Sequence, residues 1–491
     1  MKAVRSNVVM FVLLGLMGVI GITLVTRART PHEVEPAASA EPVASTSAGV
    51  AASASAAPAT SSSASVDKPA KPTLTRPLRV VGVSWESLAP ALLHNGGLEP
   101  SADSAFGKEG LRVGIGVVDG AEGADQALAR GGEEESGADV ALVPLSAVLV
   151  SYERLRALDP VIFFVSHWSR GREQVLTRGS KSFDSLPNSG QIGLARAQSE
   201  AGTFVALFVL DAAGVPPARV TLLPEDDPKA LVKARVSGHA DKGRDMAQSE
   251  QLLSTGEASR LLPYVMIAQR GFIQQHAKLL RTFLAGWLKG QKQLVDDTAG
   301  AARRIAKLEG APEPVTLLGG LGEIASVPLG ENAELFGLSG RGAVTVERLL
   351  GRGFRLWRES KLSTVLPPES GMADGRVLAQ LVRAGGAALA GPEATAGDRD
   401  PKAVPLLVSR QSGTTLDEDA LLSELGFLAG IFGRSPITLT VHRGGAVDKA
   451  RSEALAQQAT ERFGLAQGRL LAGKARPRAR SLASIEVFPV P

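Results

Sequence analysis

From residue 78 onward short apolar runs alternate with amphipathic stretches, and this alternation limits the fold more than any other feature of the chain. Strand patterns fall at 78–84, 111–118, 140–143 and 161–165, with helical patterns at 88–94, 124–130 and 147–155 between them. The series resumes with a strand at 191–195 and a helix at 201–213, closed by Gly214 with Pro216 behind it. A strand at 261–269 then leads into a long amphipathic helix at 273–294. Strands that alternate with helices build a mostly parallel sheet covered on its faces, and there is enough sequence here for two such lobes. Helical patterns at 344–358 and 375–384 finish the first lobe.

The flanks are of different composition. Lys2 and Arg5 precede an uncharged apolar run at 8–25, which as a helix would reach about 27 Å, close to the hydrocarbon thickness of a bilayer. The run exceeds the apolar core of a secretory signal, so an uncleaved anchor is expected at 8–26 behind a cytoplasmic tail at 1–7. Residues 27–77 are rich in Ala, Ser and Pro and read as a tether without a core. A second linker is read at 387–401. It separates the two-lobed part, 78–386, from a small α/β unit at 402–491, with helices at 421–432 and 448–463 and strands at 437–441 and 484–488. Within 78–386 the first lobe is assigned 78–175 and 268–386 and the second 176–267, with crossings near 173–178 and 265–267.

Several function classes lack residues to stand on. The net charge of +4 comes from 54 basic and 50 acidic residues scattered together, so nucleic-acid binding is not expected. Without cysteine there is no disulfide, thiol catalysis or Cys-ligated metal. The six histidines show no paired metal spacing, and no P-loop, G-x-G-x-x-G or G-x-S-x-G motif occurs. No enzymatic activity and no cofactor are expected.

Residues 78–381 resemble periplasmic solute-binding proteins of the sulfonate, nitrate and thiamine-precursor importers. The resemblance rests on Arg79-Val80-Val81-Gly82-Val83-Ser84, Gly137-Ala138-Asp139-Val140-Ala141, Gly190-Gln191-Ile192-Gly193 leading into Ser199, and Leu262-Pro263-Tyr264-Val265, in that order. It implies the two-lobed type II binding fold, an ABC-type importer and a periplasmic location with the anchor in a bacterial inner membrane. Residues 405–488 resemble the OmpA-like peptidoglycan-binding domain through Ser412-Gly413-Thr414-Thr415-Leu416, Ile437-Thr438-Leu439-Thr440-Val441-His442 and Ser484-Ile485-Glu486-Val487. The ligand-holding Asp of that family falls at Gly444 and its helix Arg at Ala459, so loss of peptidoglycan binding is expected.

In open α/β sheets a ligand sits beyond the carboxyl ends of strands, where helix N-termini present free N–H groups. That rule selects Ser84, Trp85, Ser146, Trp168, Arg196, Ser199 and Thr203 as candidate solute ligands. Trp85 and Trp168 could wall the solute or simply pack between elements. Arg196 suits an anion and Glu200 a cation, so the ligand's charge stays open. The expected function is capture of a small polar solute between two lobes, for an inner-membrane permease or as a sensor. The rival is a structural envelope protein that links membrane to cell wall, and it is distinguished by whether side chains fill the space between the lobes.

Overall fold

The computed structural model describes residues 74–180, 182–188, 191–196, 200–224, 235–239, 249–339, 342–385, 402–466, 468–473 and 481–490. The expected anchor at 8–26, the tether up to residue 73 and the linker at 387–401 lie outside these residues. Among the described residues no helix is long and apolar enough to cross a membrane.

The chain opens with β1 (Leu78–Gly82), α1 (Trp85–Asn95), α2 (Ala105–Lys108), β2 (Val113–Val117), α3 (Gly120–Arg130), β3 (Val140–Pro144), α4 (Leu145–Leu155) and β4 (Pro160–Ser169). It continues through β5 (Gln174–Arg178), β6 (Ile192–Arg196), α5 (Glu200–Ala212), β7 (Val220–Pro224), β8 (Val236–His239) and β9 (Ser249–Ser254). Then come β10 (Pro263–Gln269), α6 (Arg270–Asp296), α7 (Thr298–Ile305), α8 (Pro314–Gly322), β11 (Ile324–Ser326), α9 (Leu329–Leu335), α10 (Val346–Glu359) and α11 (Arg376–Gly385).

These strands form two sheets with one plan. The first has the order β11-β4-β10-β3-β1-β2 and the second β7-β6-β8-β5-β9. In the first, β1 is parallel to β2 and β3, while β10 runs antiparallel to β3 and β4. In the second, β6 is parallel to β7 and β8, while β5 runs antiparallel to β8 and β9. Each sheet therefore places its second strand beside its first, then its third, then one reversed strand, then its fourth. The reversed strand is in each case the segment that has just arrived from the other sheet. A two-lobed α/β fold follows, as the sequence pattern leads one to expect.

The expected crossings at 173–178 and 265–267 need correction. Residues 174–178 are already β5 of the second sheet, and 265–267 lie inside β10 of the first. The chain crosses instead at 170–173 and 255–262. Apolar content alone could not separate the crossing residues from the strands they feed.

Local chemistry explains the other shifts of boundary. Helix α1 starts at Trp85 because Ser84 caps it, its hydroxyl accepting the Ser87 N–H at 3.2 Å. Strand β4 runs past the apolar 161–165 to Ser169, and all ten of its residues are buried, as in a strand covered on both faces. Helix α5 is apolar on every side and buried along nearly its whole length, as an interior helix must be.

A third sheet holds β12 (Leu407–Ser412), β13 (Ile437–Arg443), β14 (Ala446–Val447), β15 (Leu470–Ala472) and β16 (Ser481–Val487), with helices α12 (Glu418–Ile431) and α13 (Lys449–Phe463). Its order is β12-β16-β13-β14, with β15 parallel to the start of β13. The lobes and this C-terminal unit fall within one compact unit, 69–491.

Candidate functional site

Both crossings join neighbouring strands of the two sheets, β4 and β10 in the first and β5 and β9 in the second. Strand β4 ends at Ser169, and β5 begins at Gln174, opposite His239 at the end of β8. Strand β9 ends at Ser254, also opposite Gln174, and β10 begins at Pro263, opposite Trp168 near the end of β4. The carboxyl ends of the parallel strands of both lobes thus adjoin the crossings, and so do the N-termini of α1, α4 and α5. A solute bound there would touch both lobes, the condition for coupling binding to hinge motion.

The structure distributes the seven expected residues unevenly. Ser84 and Trp85 lie together at the start of α1, where Ser84 caps the helix and Trp85 is half-buried. Ser146, at the start of α4, is 0% exposed and its Oγ has no hydrogen-bond partner. Thr203, in the first turn of α5, is 1% exposed and its Oγ1 is also without a partner. Trp168 lies within β4, 3% exposed, and its Nε1 donates to Glu331 Oε1 at 2.9 Å. It ties α9 to the sheet, so its packing reading is the one seen here. Arg196 is the last residue of β6, and Ser199 lies outside the described residues.

Ser237 of β8 was not among the expected residues, yet its hydroxyl, at 0% exposed, is likewise without a partner, as are those of Ser339, Ser360, Ser435 and Ser484 elsewhere among the described residues. Strand β8 passes so close beneath the first turn of α5 that a side chain at Gly238 would overlap the Gly202 carbonyl. Ser237 and Thr203 are the chain neighbours of that contact. Helix α4 has Pro144 at its N-cap and no side-chain cap, so its first N–H groups lack the usual acceptor. Each buried hydroxyl left unpaired costs roughly 1–3 kcal/mol.

The crossings carry a polar network that sequence reasoning missed. Glu173, 1% exposed, accepts from the Ser169 hydroxyl and from Thr255 Oγ1 at 3.4 Å. Thr255 Oγ1 accepts the Gly171 N–H at 2.8 Å, and the Thr255 N–H donates to the Glu173 carbonyl at 2.9 Å. The two crossings are thereby laced together. Arg172 reaches Glu323 Oε2 at 3.3 Å and the Tyr264 hydroxyl at 3.5 Å, and Tyr264 stacks on His167 with ring centres 4.4 Å apart. Burial pushes the Glu173 carboxyl up from the usual range, takes His167 down to about 3 and Tyr264 up to about 12. The signal was Tyr264 itself, one of only two tyrosines, lying directly after Pro263. Among the described residues no group of three or more His, Asp or Glu is placed to hold a metal.

No family model and no curated protein matches this chain. Solved structures do. The chain is similar to the periplasmic aliphatic sulphonate binding protein SsuA from Escherichia coli, at 15% identity over 67% of this chain and 96% of that one, with a TM-score of 0.43. It is similar to the alkanesulfonate-binding protein SsuA from Xanthomonas axonopodis pv. citri bound to MOPS, at 14% identity over 62% and 97%, with a TM-score of 0.39. The desulfurization enzyme DSZB is similar at 11% identity over 62% and 99%, with a TM-score of 0.37.

Proposed function

We propose that the two-lobed part captures a small polar solute between its lobes, at the starts of α4 and α5. The observation that carries this reading is the set of buried hydroxyls without partners, Ser146 and Thr203, one from each lobe, beside Ser237. Donors from both lobes at helix N-termini suit a solute rich in acceptor oxygens. The run at 8–26 would tether the protein to the bacterial inner membrane, with its bulk in the periplasm, delivering solute to a permease or reporting its presence. The β-α-β-β-α-β-β order of the C-terminal unit supports the OmpA-like reading of its fold, and Gly444 and Ala459 support loss of the peptidoglycan grip.

Native mass spectrometry of the purified protein tests the proposal. A small molecule should travel with the wild type, and Ser146→Ala with Thr203→Val should weaken it by about 1–3 kcal/mol. A wild type that carries nothing from any growth medium, with the double variant more stable than the parent, would sink the idea.

One observation favours the structural rival. A single apolar cluster runs from α3 and α4 through α5 and α10 into the C-terminal unit, and Phe208 of α5 packs on Phe427 of α12 at 5.9 Å. Opening the lobes would have to break it.

A further inference from the structure

Helix α10 touches all three folded parts at once. Toward the first lobe, Gly353 admits Leu149 of α4, and Phe354 meets Tyr152 edge-on at 5.6 Å. Toward the second, Trp357 packs on Phe204 at 5.8 Å, and Arg352 and Arg355 both bind Asp211 at the end of α5, at 2.8 and 2.6 Å. Toward the C-terminal unit, Arg348 donates to the Ser423 carbonyl at 2.6 Å and lies over the Phe427 ring at 4.2 Å.

Arg352 is where these contacts meet. Its guanidinium binds Asp211 of the second lobe and, at 3.0 Å, Glu424 of the C-terminal unit, and it lies over the rings of Phe208 and Phe427. At 13% exposed, with Asp211 also at 13%, it is shielded from the water that makes surface pairs weak. The C-terminal unit also grips the second lobe at Asp184 and the second crossing at Arg260. Arg410 of β12 pairs with Asp184 at 2.5 Å, and the Arg260 N–H donates to the Ile431 carbonyl at 3.1 Å. A hinge of two short crossings is soft by itself, whereas this brace ties both sides of the hinge to a third body.

We infer that the C-terminal unit, acting through α10, is a built-in clamp that holds the two lobes together, so the lobes separate only when that unit comes away. Anything that pulls on the C-terminal unit, such as an envelope partner, would then open the solute site. Conversely, a solute that favours closed lobes would strengthen docking of the unit by the same free energy.

The chain has no cysteine, so introduced pairs are its only thiols and spin labels can report distances within the full-length protein. Labels at the exposed Gln126 and Thr221 read lobe against lobe, and labels at Thr221 and Gln458 read the second lobe against the C-terminal unit. Without solute, the parent should give one narrow distribution for each pair. Glu424→Arg with Arg410→Glu reverses two ion pairs on the C-terminal unit alone and should broaden both distributions together. Should that double variant lose its circular dichroism signal, Glu424→Gln, which only removes the pair, carries the same expectation at smaller amplitude. A C-terminal unit that comes away while the lobe-to-lobe distance stays narrow overturns the clamp, and so does a unit that stays docked without these pairs. Neither result bears on whether a solute binds, which mass spectrometry decides separately.

Discussion

His167 shows how far a buried polar side chain can depart from its ordinary behaviour at the hinge. Ser166 gives its hydroxyl proton to the Tyr264 carbonyl at 3.1 Å, so Nδ1 of His167, 2.9 Å from Ser166 Oγ, donates to that hydroxyl oxygen. Nε2 is buried without a partner, and burial holds the imidazole neutral down to about pH 3. The unfolded chain takes up this proton near pH 6.5, so the group costs stability as pH falls from about 6.5 toward 3, at about 1.4 kcal/mol per unit. Glu173 works in the opposite sense. Its folded value is raised, so the penalty it imposes at neutral pH is relieved as pH falls through that value toward 4.5. Replacing His167→Phe keeps the stacking on Tyr264 and removes one titration, leaving Glu173 in both proteins. Between pH 7 and 4 the variant should lose about 3 kcal/mol less unfolding free energy than the parent, measured in urea. Equal losses would mean that His167 titrates normally. Glu173→Gln should cost less than Glu173→Leu at pH 7, since the amide keeps the hydrogen-bonding partners of a carboxyl that burial already pushes toward neutrality. None of this was legible at the sequence level, where the strand pattern ends at residue 165 and Ser166, His167 and Ser169 read as the loop beyond it rather than its buried interior.

At the scale of elements, two glycines in helices separate propensity from packing. Gly351 of α10 is exposed, and a methyl there would meet nothing within 4 Å. Gly351→Ala should therefore stabilise by about 0.5–1 kcal/mol, the usual gain of alanine over glycine in a helix. Gly290 of α6 is buried where α6 crosses α1, and a methyl there would overlap the Pro90 carbonyl. Gly290→Ala should reverse the sign and cost about 1–3 kcal/mol as the helices are forced apart. Thermal melts of the two variants check this, and a stabilised Gly290→Ala would show that the crossing is looser than described. The helical periodicity of α6 and α10 was readable, because an apolar stripe at 3.6-residue spacing depends on local order alone. Their partners were not. The stripe of α10, with Leu349, Gly353, Phe354 and Trp357, fits any apolar surface, and only tertiary structure directs it onto α4 and α5 together.

In the whole molecule, the repeated plan of two sheets was legible because alternating strands and helices admit few topologies. Attachment of the C-terminal unit was not, since Arg348, Arg352, Ser423 and Glu424 look like solvated positions on amphipathic helices until they meet. Their meeting has a thermodynamic consequence. The apolar cluster that includes Leu149 of α4, Phe208 of α5, Phe354 of α10 and Leu425 of α12 is continuous, so damage at one end should be felt at the other. Leu425 is fully buried in the C-terminal unit, well along the cluster from α4. Leu425→Ala should remove about 2–5 kcal/mol through lost burial and the cavity left behind. If the unit and the lobes open as one cooperative body, native-state hydrogen exchange should show that loss in peptides from α12, α5 and α4 alike, because each amide there exchanges through the same opening. A drop confined to α12, with α4 and α5 unchanged, would mean that the C-terminal unit unfolds by itself and that its contacts add little to the stability of the lobes.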